Sequence, residues 1–144
     1  MPDSKWSAGS LRIMSRTITA GEVSARLGLN PDDRFERGSL CSPRNPASQR
    51  RESSVWILKS GLGSDRWPEE HVAALVERLN GKSETLSLLA AECEMELFLG
   101  FGSDDGQGGC VLPARLLKEV GLLGLDVVLD LYPPTDAFDP SPPD

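Results

Sequence analysis

A chain of 144 residues, 39% of them hydrophobic, can bury one self-sufficient core, and no apolar run reaches the roughly 18 residues that a bilayer span needs. The three cysteines, Cys41, Cys93 and Cys110, form no CxxC pair and read as reduced, small apolar residues; the start, Met1-Pro2-Asp3-Ser4-Lys5-Trp6, has no signal-peptide pattern, so a cytoplasmic location is the default expectation. A net charge of −7 argues against general nucleic-acid or membrane binding, yet residues 1–66 carry a net +4 and residues 67–144 a net −11, a split that predicts oppositely charged surfaces if the halves stay apart in space.

In chain order, residues 1–9 read as a loose end. Ser10-Leu11-Arg12-Ile13-Met14-Ser15-Arg16 alternates, which predicts a half-buried strand. Thr19-Ala20-Gly21-Glu22 has the form of a capping box: Thr19 can accept from the third helical N–H and Glu22 can reach back. The helix runs to Leu27, Gly28 supplies a left-handed stop, and Pro31 prevents resumption. A short strand is expected around Arg34-Phe35-Glu36, inside a long basic loop over residues 34–53. Loops of that length within a compact domain are usually functional or disordered. Ser54-Val55-Trp56-Ile57-Leu58-Lys59 reads as a central strand.

Trp67-Pro68 opens a helix in which Val72, Leu75, Val76 and Leu79 hold helical spacing, and Asn80-Gly81 ends it. Ser83 to Ala91 predicts a shorter helix. Cys93 to Phe101 is the cleanest strand, followed by a polar glycine-rich turn over residues 102–109, a short strand at Val111, and a helix from Ala114 to Val120 closed by Gly121. Leu125 to Tyr132 alternates as a last strand. Five prolines and three aspartates in residues 133–144 predict a disordered tail. Residues 10–132 thus read as one α+β domain in the order β-α-β-β-α-α-β-β-α-β. The expected fold is a single mostly antiparallel or mixed sheet with helices on one face, ferredoxin-like or a doubled version of it.

The ordered set as a whole resembles the uncharacterised bacterial domain-of-unknown-function 4279 family. Its matching features are Ile18-Thr19…Val23…Leu27-Gly28-Leu29…Pro31, the Gly38 turn, Val55-Trp56, the helix at 72–79, the strand 95–101, the helix from Pro113, and the close at Leu131-Tyr132. The resemblance implies an α+β fold and a bacterial cytoplasmic setting. It carries over no activity and no site residues.

No catalytic set can be assembled. His71 is the only histidine and reads as a partly exposed helix residue beside Glu69 and Glu70. The turn Gly100 to Gly109 lacks the lysine-serine ending of a phosphate loop and the spaced acids of a calcium loop. No cofactor and no metal site is expected. Two groups remain. Glu94, Glu96, Asp126 and Asp130 alternate out of two strands and would share a face if those strands are neighbours, the plainer reading being a solvated polar face partnered by Arg12 and Arg16. Arg34, Arg37 and Arg51, with Trp56 and Trp67 near them in sequence, could clamp an anion, since guanidinium binds carboxylate and phosphate bidentately.

The leading expectation is a non-enzymatic binding module that meets a basic protein partner through its acidic C-terminal half, concretely an immunity-type or antitoxin-like protein. The alternative is a small anionic-ligand sensor built on the arginine-rich loop. An enzyme using the sheet-face carboxylates comes third. Exposed strand edges also offer a route to a homodimer.

Overall fold

The computed structural model describes residues 1–2 and 4–134; the tail expected to be disordered lies outside them from residue 135 on. Alternation of side chains governs the sheet. In β1 (Lys5–Ser15) Leu11 and Ile13 point to one face with Ser7, Gly9 and Ser15, while Trp6, Ala8, Ser10, Arg12 and Met14 point to the other. Trp56 and Leu58 of β3 (Ser54–Lys59) and Met95, Leu97 and Leu99 of β4 (Glu94–Ser103) join the first face. All these apolar residues are buried. The buried residues of α1 (Ala20–Leu27), α2 (Pro68–Arg78), α3 (Ser83–Leu89) and α4 (Ala114–Leu122) complete a single core on that side. Among the described residues no helix covers the opposite face of the sheet.

Among the described residues the sheet has five strands in the order β2-β3-β1-β4-β5, with β2 at Asp33–Phe35 and β5 at Asp126–Tyr132. β1 is antiparallel to both β3 and β4, and β5 runs parallel to β4. The sheet is therefore mixed and the fold α+β, as expected. The two strand–helix–strand units are not equivalent: β4 and β5 lie side by side, whereas β3 separates β1 from β2. The order also keeps the charge halves apart among the strands. β2, β3 and β1 come from the basic half and β4 and β5 from the acidic one.

Three local expectations need correction. Residues 5–9 are not loose: Lys5 to Gly9 pair in register with Ser103 to Leu99, so β1 starts five residues early. No strand forms at Val111 among the described residues, because β1 and β5 already occupy both edges of β4. The last long helix runs through Gly121 to Leu122, and the left-handed stop is Gly124, with φ 72°.

Capping followed the sequence in part. Thr19 Oγ1 accepts the Glu22 amide at 3.1 Å, and Gly28 closes α1 with φ 67°. Glu22 does not reach back; it pairs with Arg26 at 2.8 Å, and Glu36 accepts the Ala20 amide instead. The long loop is folded back on itself. Amide–carbonyl pairs link Gly38 with Arg51, Arg51 with Ser39 and Cys41 with Gln49, around a bridge between Leu40 and Arg50.

Candidate functional site

Parallel pairing of β4 with β5 sets Glu96 beside Asp126 and Gly100 beside Asp130, all on the uncovered face. Glu94 stands on the same face, opposite Met14 of β1. The four predicted carboxylates are thus brought to one face, Glu94 and Asp126 exposed, Glu96 and Asp130 half-buried. Asp33 of β2 adds a fifth, 3.9 Å from Lys59. The expected partners do not hold the other four. Arg12 lies opposite Glu96 but stacks its guanidinium on the Phe98 ring at 3.7 Å, and Arg16 pairs with Glu52 at 3.7 Å. A cation over an aromatic face is favourable, and in this register Phe98 sits diagonally next to Arg12.

The same face carries an aromatic shelf that the sequence reading passed over. Trp6, assigned to the loose end, faces Gly102 across the β1–β4 ladder. A Cβ on Gly102 would stand 2.1 Å from the indole Nε1, and one on Gly100 would stand 3.2 Å from Cζ3. The two glycines, spaced by two along β4, therefore leave the shelf on which the indole lies flat. Tyr132 meets Trp6 with ring centroids 4.9 Å apart at 52°. Asp130, hydrogen-bonded to its hydroxyl, raises the Tyr132 pKa. Trp6, Ile57, Phe98 and Tyr132, with Arg12 and Lys59, line a shallow pocket of about 290 Å³ on this face. The signal was present: Trp6, Ala8, Ser10 and Arg12 continue the alternation of β1, and Gly100 and Gly102 share one side of β4.

The predicted arginine cluster does not assemble. Arg34 stands opposite Trp56, on the helix side of the sheet, near Gly21. Arg37 donates to the Arg16 carbonyl at 2.7 Å. Arg51 stacks on Phe35, 3.9 Å from the ring centroid, at the far edge of the uncovered face. Trp56 is fully buried, and its indole donates to Ser24 Oγ at 2.9 Å, so it floors no pocket. Trp67 is half-buried at the start of α2, where Glu70 accepts its amide at 2.8 Å.

His71 is a second correction. It is only 1% exposed, packed between α2 and Gly9 of β1, with Nδ1 2.6 Å from Ser60 Oγ. Burial lowers its pKa from 6.5, against the opposing pull of Glu70 and the Ser7 backbone. Arg66 and the Trp67 amide hold neighbouring Glu70 at about 2, against 4.5 ordinarily. Above pH 6.5 His71 is neutral in both folded and unfolded chains; as pH falls below it, the unfolded chain binds a proton that the fold refuses, and stability falls. The Glu70 contribution is whole above 4.5 and is lost as pH falls toward 2. Urea midpoints should therefore be level between about pH 7 and 8, decline below that window, and decline again in the carboxylate range. His71→Gln should abolish the first decline and keep the second; an unchanged profile would refute the assignment.

Among the described residues no group of three His, Cys, Asp or Glu side chains is placed to hold a metal, and no helix is long and apolar enough to cross a membrane. The three thiols are free. Burial raises the pKa of Cys93 and of Cys110, which disfavours the nucleophilic thiolate. Residues 4–134 match the model of a protein family described as a domain of unknown function, DUF4279. No curated protein and no solved structure matches the chain.

Proposed function

This chain belongs to the DUF4279 family, and from that premise we propose that it is a non-enzymatic binding module of the bacterial cytoplasm whose uncovered sheet face receives a basic protein partner. One observation carries the reading. An aromatic and aliphatic platform of Trp6, Ile57, Phe98, Val128 and Tyr132 shares a single face with five carboxylates, Asp33, Glu94, Glu96, Asp126 and Asp130, against Arg12, Lys59 and, at the far edge, Arg51 as bases. Apolar surface of this kind, left bare on one side of a sheet, marks interaction sites. The surplus of carboxylates selects a cationic partner and speeds encounter with it. The Tyr132 ring, 48% exposed beside Asp130, can also take a lysine or arginine over its face. In its most concrete form the module is immunity-like or antitoxin-like, masking a basic effector. The anion-sensor alternative called for a pocket lined by Arg34 or Arg37; Arg34 stands on the helix side of the sheet and Arg37 is bound to the Arg16 carbonyl, which gives it no comparable support.

The test is binding of fluorescent peptides in which lysine or arginine alternates with apolar residues, set against acidic peptides of the same length. Basic peptides should bind, more weakly as salt rises. Trp6→Ala should weaken binding about 30-fold, the roughly 2 kcal/mol of an interface anchor. Gly102→Ala, which evicts the indole without touching the core, should do the same. The pair Glu96→Lys and Asp126→Lys should remove the salt dependence. Equal binding of acidic and basic peptides, or indifference to all four changes, would sink the proposal.

A further inference from the structure

The exposed large apolar side chains are not scattered. Seven stand out among the described residues, and five of them belong to α4 and β5: Leu117, Leu122, Leu129, Leu131 and Tyr132. Leu122 is 72% exposed, Leu129 54% and Leu131 67%. Leu129 and Leu131 point to the helix side, since they pair in register with Leu99 and Phe101. β5 is also the last strand of the sheet, so its outer row of backbone donors and acceptors faces no strand among the described residues. A bare edge flanked by apolar side chains is a template for another strand.

We infer that a second copy of this chain occupies that edge, β5 pairing antiparallel with β5 about a two-fold axis through Leu129. Strand length and charge together select the register: axes through Val128, Leu129 or Asp130 each pair five or more of the seven residues of β5, and of these only Leu129 opposes no like charges. A two-fold pairing sets a central residue against itself and its flanking residues against each other in reverse order. Centred on Asp130, two carboxylates would meet directly. Centred on Val128, Asp126 would face the partner's Asp130. Facing like charges destabilise a ladder. Centred on Leu129, Asp130 faces Val128 and Asp126 faces Tyr132, so no like charges are opposed. On the helix side the same register sets Leu129 against Leu129 and Val127 against Leu131, a continuous apolar strip, with α4 of each copy beside it. The two five-stranded sheets then form one sheet whose uncovered faces are continuous.

Sedimentation equilibrium of the full chain reads the outcome directly. A mass about twice 15.6 kDa is expected, returning to the monomer mass in Leu129→Asp with an unchanged circular dichroism spectrum. The register has its own readout, independent of whether Leu129→Asp folds. In a background with Cys41, Cys93 and Cys110 changed to serine, Leu129→Cys should form an intermolecular disulfide on mild oxidation. Directly facing residues lie about 4.5–5.5 Å apart, within disulfide reach. Asp126→Cys should not, because the two Asp126 positions would lie about 20 Å apart along the ladder. A monomer at every concentration overturns the inference and leaves the edge to a strand of another protein. A dimer that cross-links through Asp126→Cys, or not through Leu129→Cys, overturns it equally.

Discussion

Replacing Trp56 with alanine should lower the stability of the fold by about 3–5 kcal/mol, a third or more of what an ordinary domain has in hand. The argument rests on where β3 puts the indole. Trp56 lies between Ile13 of β1 and Arg34 of β2, with none of its surface in contact with solvent. Truncation removes its apolar burial and leaves a cavity that strands on both sides and α1 above are too constrained to fill. It also removes the indole donor to Ser24, the one polar link between β3 and α1 at this level. Trp56→Phe separates the contributions. It keeps most of the ring and loses the hydrogen bond, and should lose only about 1–2 kcal/mol. Urea unfolding at constant slope is the measurement. A loss below about 1 kcal/mol for the alanine variant would contradict a buried, close-packed indole.

Gly9→Ala should also destabilise, by about 1–3 kcal/mol. An added Cβ would stand 2.6 Å from the His71 Cβ and 3.3 Å from Leu99 Cδ2. The first of these is attached directly to the backbone of α2, so no side-chain rotation relieves it; the helix itself must move off the sheet. Alanine is otherwise preferred to glycine in a strand by roughly 0.5–1 kcal/mol, which offsets only part of the clash. Gly121→Ala is the matched control. Gly121 lies in α4 with ordinary φ and open space around it. The same chemical change there should stabilise by about 0.4–1 kcal/mol. Thermal unfolding of the two variants should shift in opposite directions. A neutral Gly9→Ala would mean that α2 does not pack on β1 as closely as described.

What the sequence disclosed, and what it hid, divides along sequence distance. Thr19 and Gly28 bracket α1 by bonds within a few residues, so both ends were readable. The partner of the Ala20 amide is Glu36, sixteen residues on, and nothing local announces it. Gly9 reads as a break in a strand when taken alone. Its reason is the close approach of His71, which comes 62 positions later. His71 looked half-exposed because its neighbours Glu69 and Glu70 are acidic, yet the α2 face that carries Val72 and Leu75 turns it inward to Ser60. The acidic face was legible because period two is a local property and only the adjacency of β4 and β5 had to be assumed. The aromatic half of the same face was not, because Trp6 finds its shelf on glycines almost a hundred residues away. The arginines misled for the converse reason: closeness in sequence along the 34–53 loop did not become closeness in space.

β1 is held on one side by β3 and on the other by β4, whose last residue is Ser103. During synthesis this imposes an order of events. A nascent chain that has emerged as far as Lys59 can assemble β2, β3 and β1 with α1 laid over them, but the second side of β1 stays open until some forty further residues follow. For that interval β1, the central strand of the sheet, displays an unsatisfied ladder to whatever else is nearby, including the same strand on an adjacent ribosome. At elongation rates of about 5–20 residues per second the exposure lasts on the order of seconds, long compared with the microseconds in which hairpins form. Slow codons or stalling between Lys59 and Ser103 would therefore fall at the least protected stage of this chain's production.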